Sequence, residues 1–449
     1  MNNPWFAFQC GIDSGNGWAA QAGGSLGKFN ENEPAWHSLI DHSIDVAAVF
    51  QMLLTNPTVC ERLARAGGVD QLDDRQIERL CFLAFIHDLG KCSLNFRAKA
   101  APALDRRLAG HIEALKPLFQ GPLQERISDV LPFKDMMRWA DPDTLCSLID
   151  AVVAHHGRMP DLTYHPGPDR YLLEGWTGWD GEPFKRLAEL VEAGRSLYEG
   201  AFDERGETLP KGAAFQHVFA GLLMAADWIG SDFPFAEGEA AVERQAFSRR
   251  RAAKRLGQIG MGKAPPFALP AFKRQFGFEP RRAQAEIDKM PLPDKSGSIV
   301  LLESETGSGK TEAALRYASR LMAAGLVDGC FFALPLRSAA VQLHGRMQCW
   351  LNKTYGKEAQ EALLAVPGYV RMGDADGERL PDFKVQWNDA EDMSRSERLA
   401  GRWAAEHPKR YAAARFAVGT IDQALLGALK VKHAHLRRPS RRRSPCPIP

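Results

Sequence analysis

Phe85-Ile-His-Asp-Leu-Gly-Lys91 closes an apolar run that starts near Arg79, and it sets an imidazole beside a carboxylate at the end of a helix expected to be buried. Burying such a pair is costly unless something offsets the desolvation. A divalent cation does so directly, because histidine nitrogen and aspartate oxygen both ligate first-row metals. One His-Asp pair is weak evidence, since a single buried histidine is usually just hydrogen-bonded. Working outward, His42, His111, His155, His156 and Asp227 also fall at helix ends or on apolar helices. With His87 and Asp88 they make seven nitrogen and oxygen donors, enough for two metals with a carboxylate between them.

The surrounding pattern is helical. Ile40, Ile44, Ala47, Ala48 and Leu54 share one helix face, and Pro57 stops the run. Leu145 to Ala154 reads as a helix leading into His155-His156-Gly157, and Phe215 to Ile229 as an almost wholly apolar helix that nevertheless carries Asp227. No alternating pattern competes across 35–230. The expectation is an N-terminal extension over 1–34 and an all-α metal-binding domain over 35–235. His165 and His217 read as structural or exposed.

Residues 236–270 read as a basic helix and linker. Arg244, Arg249, Arg250, Arg251, Lys254 and Arg255 mark a charged helix, of which Arg249 to Arg255 form either a solvated face or part of a basic path for nucleic acid. Beyond them the character changes to strand–helix alternation, which implies an α/β domain over 271–436. Ser298 to Glu303, Cys330 to Leu334 and Ala417 to Thr420 are the expected strands, and Thr311 to Ala324 an expected helix. Residues 351–412 are polar and irregular, and no element is assigned there. Ser304-Glu-Thr-Gly-Ser-Gly-Lys-Thr311 follows the first strand and opens the helix, the context a phosphate-binding loop requires. Thr306, Gly307, Ser308 and Gly309 would turn backbone N–H groups toward phosphate, Lys310 would reach the β and γ phosphates, and Thr311 would ligate Mg²⁺ beside ATP. The last residues, 437–449, carry five arginines in seven positions and then alternating prolines. They are expected to be disordered or an artefact of truncation.

Composition sets bounds. Of 449 residues, 45% are hydrophobic and 25% charged, the balance of a soluble globular protein of two or three domains. A net charge of +2 neither favours nor excludes nucleic acid. Eight scattered cysteines without a Cys-x-x-Cys pair point to reduced thiols rather than a disulfide framework. With neither a secretory leader nor a membrane-length apolar run, a cytoplasmic protein is expected.

The stretches His37-Ser-Leu-Ile-Asp-His42-Ser-Ile-Asp-Val-Ala, Phe85 to Lys91, Gly110-His111, Ala154-His-His-Gly157 and Ala226-Asp-Trp-Ile-Gly-Ser-Asp232 resemble the HD phosphohydrolase superfamily, in the form fused to a helicase in type I CRISPR interference. The resemblance implies one metal on His42, His87, Asp88 and Asp227 and a second on His111, His155 and His156, with Asp88 between them. His37 competes with His42 for the first position. Histidine-rich sites suit Mn, Fe, Co or Ni more than Mg. His87 and Asp88 would then be catalytic. Lys91 would contact a phosphate, unless it is simply a solvated lysine at a helix end.

Downstream, Pro280-Arg-Arg-Ala-Gln284, Ala333-Leu-Pro-Leu-Arg337 and Val418-Gly-Thr-Ile-Asp-Gln423 resemble superfamily 2 helicase elements. By that resemblance Gln284 reads adenine, and Arg337, Thr420 and Gln423 contact the nucleic-acid strand. No Asp-Glu-x-His box precedes Pro449, so the RecA-like domain is expected to be incomplete and ATP hydrolysis feeble. The implied activity is cleavage of single-stranded DNA, coupled in the intact family to a 3′–5′ ATP-driven motor recruited by a crRNA-guided surveillance complex. A nucleotide phosphohydrolase and an inactive DNA- or complex-binding fragment are the alternatives.

Overall fold

The computed structural model describes residues 26–30, 35–99, 106–157, 159–178, 182–234, 241–264, 267–293, 298–356, 360–380, 385–389 and 401–425. The tail over 437–449, most of the extension over 1–34 and Pro265-Pro266 of the linker lie outside the described residues. The chain divides into two compact units, the first drawn mainly from residues up to Lys254 and the second from Arg255 to Val431.

In the first unit, β1 (Leu26–Asn30) and β2 (Ala35–Ser38) pair antiparallel. The all-α expectation misses this hairpin because strands of four or five residues are too short for alternation to register. Ser38 then starts α1 (Leu39–Leu54), its Oγ accepting the Asp41 N–H at 3.0 Å. A reciprocal capping box between Asp73 and Gln76 starts α2 (Asp74–Phe85). Asp141 caps α3 (Pro142–Val153), with proline in the first turn where its missing N–H costs nothing. The helices α4 (Glu182–Leu197), α5 (Ala213–Gly230) and α6 (Ala241–Gln258) follow. Helices α2 and α5 pack on α1, burying Ile44, Phe50 and Leu53 with Leu80, Leu83, Phe219 and Leu223. Phe50 and Phe219 meet edge to face at 5.5 Å.

The basic helix is not a linker along its whole surface. Arg244, Ser248 and Ala252, spaced by four, form a buried stripe on α6, while Arg250, Arg251 and Lys254 are exposed. Arg250, Arg251 and Lys254 are thus solvated as expected, whereas Arg244 is buried. Its guanidinium donates from Nε to Asp45 Oδ1 at 3.0 Å and from a terminal nitrogen to Asp45 Oδ2 at 2.5 Å.

The second unit contains α7 (Arg282–Lys289), α8 (Lys310–Ala323), β3 (Cys330–Leu334), α9 (Arg337–Tyr355), β4 (Leu363–Ala365), β5 (Arg371–Met372), β6 (Ala375–Arg379), β7 (Val385–Trp387) and β8 (Phe416–Thr420). The sheet order is β3-β8-β4-β5-β6-β7, parallel across β3, β8 and β4 and antiparallel beyond. Leu315, Leu343, Met347, Trp350, Leu364 and Val418 form its core. Two of the three expected strands are present. Ser298 to Glu303 is not a strand: it joins no ladder, Ile299 is 100% exposed and Leu301 82%. An apolar run becomes a strand only where a neighbour takes up its N–H and C=O groups, and no described segment does so here. The short strands β4 to β7 come from the stretch left unassigned over 351–412. Buried Arg402 ties it together through Glu361 at 2.9 Å and Asp389 at 2.6 Å.

Candidate metal centre and nucleotide loop

The donors that the sequence scatters over 186 positions, from His42 to Asp227, come together where helices end. His42 projects from the first turns of α1. His87 and Asp88 follow the C-cap of α2, and His155 and His156 follow that of α3. Asp227 lies in the last turn of α5. Gly157, at φ 81°, takes the left-handed conformation that turns the chain away after the two histidines. His111 is held by close packing against Gly90, which leaves no room for a side chain there.

Asp88 stands at the centre. Its Oδ2 lies 3.0 Å from His42 Nε2, 3.1 Å from His87 Nε2 and 2.6 Å from Lys91 Nζ. Its Oδ1 faces His111 Nε2 at 3.2 Å and His155 Nε2 at 3.5 Å. Asp227 Oδ1 is 3.7 Å from His87 Nε2 and 3.9 Å from His42 Nε2. His111 and His156 bring their Nε2 atoms within 2.8 Å of each other. Two sets emerge: His42, His87, Asp88 and Asp227, and His111, His155 and His156. His37 is not in either. Its Nε2 donates to Asp45 Oδ2 at 2.9 Å, behind His42, in a buried network completed by Arg244 and Ser248.

The donor chemistry fits divalent metal. His87 and His155 each direct Nδ1 to a helix carbonyl three residues earlier, Ala84 O at 3.0 Å and Val152 O at 2.7 Å. A carbonyl only accepts, so Nδ1 carries a proton and Nε2, facing inward, is the nitrogen left to ligate a metal. Those two Nε2 atoms and Asp88 Oδ1 are buried without a hydrogen bond, a costly state that a cation would relieve.

Electrostatics divide the histidines. Burial, with the nearby charge of Lys91, pushes His42 down to about 3 against the pull of Asp88. Burial and the neighbouring cationic groups push His111 down to about 3 as well. Burial also lowers His156. For His87 burial works downward, but Asp88 and Asp227 outweigh it and hold the ring up at about 9. Burial would raise Asp88, yet Lys91, His87 and His111 keep it well below the usual carboxylate range.

In the second unit Gly307 and Gly309 adopt φ of 78° and 92°, which the turn into α8 requires. Lys310 Nζ donates to Ser304 O at 2.7 Å and Glu305 O at 2.8 Å, while Thr306 and Ser308 lie in the turn and Thr311 in the first turn of α8. Gln284 reaches this loop: its Oε1 accepts from Arg281 N at 2.9 Å and its Nε2 donates to Gly309 O at 3.1 Å. Arg281 donates to Gly307 O at 2.6 Å, a contact its sequence context did not signal. Arg337 opens α9 after β3. Thr420 ends β8, and Gln423 follows it, donating to Asp422 Oδ2 at 2.9 Å. Because Leu334 pairs with Thr420, these groups gather at the carboxyl ends of two adjacent parallel strands, where open α/β sheets bind ligands.

Residues 26–236 match the family described as Cas3, HD domain. Over these residues the first unit is similar to a Cas3 HD domain. Over nearly the whole chain the similarity extends to the CRISPR-associated endonuclease/helicase Cas3 of Thermus thermophilus, 28% identical over 424 residues, covering 90% of this chain and 43% of the relative. The Escherichia coli K12 Cas3 is 23% identical, covering 89% and 47%. Among solved structures, T. fusca Cas3 with AMPPNP superposes with a TM-score of 0.65 at 23% identity, over 92% of this chain and 45% of that one. A CRISPR RNA-guided surveillance complex before nicking contains a chain that matches with a TM-score of 0.56 at 21% identity, covering 92% and 42%. The chain spans less than half the length of the curated relatives it matches. The fold of Cas3, an HD domain followed by part of a helicase-like domain, is thus the fold of this chain. Asp45 and Ser248 were not singled out by sequence, and Arg244 only as part of a charged helix, although the spacing of Arg244, Ser248 and Ala252 carried the signal.

Proposed function

We propose that the first unit is a two-metal phosphodiesterase that cuts single-stranded DNA in CRISPR antiviral defence. The observation that carries this reading is the Asp88 carboxylate, with one oxygen facing His42 and His87 and the other facing His111 and His155. His42, His87, Asp88 and Asp227 would hold one cation and His111, His155 and His156 the other. The donor set favours Mn, Fe, Co or Ni over Mg. Such a pair, when bound, supplies a hydroxide at neutral pH and charge at the phosphoryl oxygens. The chain's own part is to present neutral imidazoles at pH 7, which the depressed His42 and His111 do. Lys91 is placed to meet a phosphate oxygen beside Asp88. The second unit would bind ATP with Mg²⁺ through Thr306 to Thr311 and Gln284, and touch the strand through Arg337, Thr420 and Gln423. The guided surveillance complex is the proposed partner and the cytoplasm the proposed location. No helix among the described residues is long and apolar enough to cross a membrane.

The test is the variant His87→Ala with Asp88→Ala, expected to lose metal-dependent cleavage of single-stranded DNA while staying folded. Undiminished cleavage removes the site from consideration. Free nucleotides hydrolysed in preference to DNA would select the nucleotide phosphohydrolase instead.

A further inference from the structure

The metal centre is open on one side. His42, His87 and His155 are sealed, whereas the His111 side chain is 16% exposed and His156 lies at the surface. The open side is therefore the one lined by His111 and His156. Beside it stands Phe96, half-buried, its ring edge-on to the His111 imidazole at 5.7 Å. The Lys91 and Lys99 ammonium groups lie 5.8 and 4.8 Å from the centre of that ring. A second pair of the same kind is close by in the fold, with the Arg107 guanidinium 4.0 Å from the Tyr171 ring centre.

The two pairs share one scaffold. Buried Asn95, next to Phe96, donates from Nδ2 to Arg107 O at 2.8 Å, and its own carbonyl accepts from Ala109 N at 3.3 Å. Tyr171 is fixed in turn by donating its hydroxyl to Glu113 Oε1 at 2.8 Å. Charge is distributed selectively over this stretch. Arg97 is paired with Glu182 at 2.7 Å and Lys116 with Asp169 at 3.2 Å. Lys99 and Arg107 are exposed and have no salt-bridge partner among the described residues. Cations seated on aromatic rings at the mouth of a phosphate-cleaving centre suit a flexible polyanion with flat bases: the rings take stacking and the cations take phosphates.

We propose that Phe96 with Lys99 and Tyr171 with Arg107 form a ledge that seats single-stranded nucleic acid as it enters the metal centre past His111. The ledge rests on the phosphodiesterase reading above, and it adds the residues that hold the strand rather than cut it.

The experiment uses the full chain loaded with Mn²⁺ and two substrates, oligothymidylate and bis(p-nitrophenyl) phosphate, a small diester that serves as the reference for metal loading. In Lys99→Ala with Arg107→Ala, KM for the oligonucleotide should rise on the order of tenfold relative to that of the small diester. The salt slope of oligothymidylate binding, read by anisotropy on the metal-free chain, should fall by about 1.4 for two lost phosphate contacts. Charge reversal, Lys99→Glu with Arg107→Glu, should enlarge both effects at an unchanged thermal midpoint. Wild-type KM and salt slope in both variants overturn the ledge. Parallel loss of both substrates also overturns it, since the residues would then act through the metal centre itself. If the wild type cleaves neither substrate, the phosphodiesterase reading fails, while the salt slope still decides whether the ledge binds a strand.

Discussion

Gly90→Ala isolates the support of the second metal set. Gly90 does not have a positive φ, so alanine carries no backbone penalty there. The cost is purely steric. A methyl group at Gly90 would run into the His111 carbonyl oxygen, 2.8 Å from its carbonyl carbon, and stand 3.0 Å from Leu115 Cδ2. Carbon atoms in contact sit about 3.5–4.0 Å apart, and the oxygen is closer still, so the His111 backbone has to retreat by at least about 1 Å. Leu115 is buried and gives little. Overpacking of this size costs about 1–3 kcal/mol in stability. The functional cost is larger, because metal-ligand distances tolerate only about 0.2 Å. A 1 Å displacement takes His111 away from His156 and Asp88, leaving the second set with two histidines. Metal content by mass spectrometry and stepwise Mn²⁺ titration should show one tight site kept and the other weakened about 10–100-fold, with cleavage down about 100-fold. Two metals bound at wild-type affinity, with full cleavage, would refute the steric argument.

Arg244→Met leaves Asp45 buried without its main partner and should cost about 3–5 kcal/mol by urea denaturation; adding Asp45→Asn should restore much of it, and a change under about 1 kcal/mol would show the pair to be dispensable. The metal-stripped chain should be most stable near pH 6.5. His42 and His111, held at about 3, bind protons more readily when unfolded, so their contribution is lost as pH falls below 6.5. His87, held at about 9, does the opposite: its contribution is present below 6.5 and lost as pH rises through 9. Urea midpoints from pH 4 to 10 check this, and His87→Ala should flatten the alkaline limb. Lys310→Ala should abolish binding of a fluorescent ATP analogue without altering metal content in the first unit, and retained binding would sink the nucleotide-loop reading.

The first unit was largely legible because its decisive residues are expensive to bury. A histidine or aspartate on an apolar helix demands compensation, so Asp88 or Asp227 in such a context announces a site wherever in the chain its partners lie. Choosing His42 over His37 was harder. Both are buried, and their difference lies in Asp45 and Arg244, which capture the His37 ring. The hairpin β1–β2 was invisible because strands so short leave no periodicity.

The reading of Ser298 to Glu303 fails where the burial of Arg244 succeeds, and the contrast marks the limit of local inference. Ser-Ile-Val-Leu-Leu-Glu has the composition of a buried strand, but strandness is a relation: Ile299 and Leu301 stay in solvent because no described strand supplies a ladder. Composition states a preference, and a partner realises it. Arg244 is the reverse case, where a charged residue defaults to a solvated reading and a distant partner, Asp45, buries it. There the signal existed one turn away. Ser248 and Ala252, small residues at four-residue intervals on a helix otherwise crowded with arginines, are what a helix needs on the face it presses against a neighbour. An arginine at the head of such a stripe must be buried with it, and a buried arginine requires a carboxylate. That chain of reasoning points to α1, the helix that carries His42, and it makes α6 part of the wall behind the metal centre.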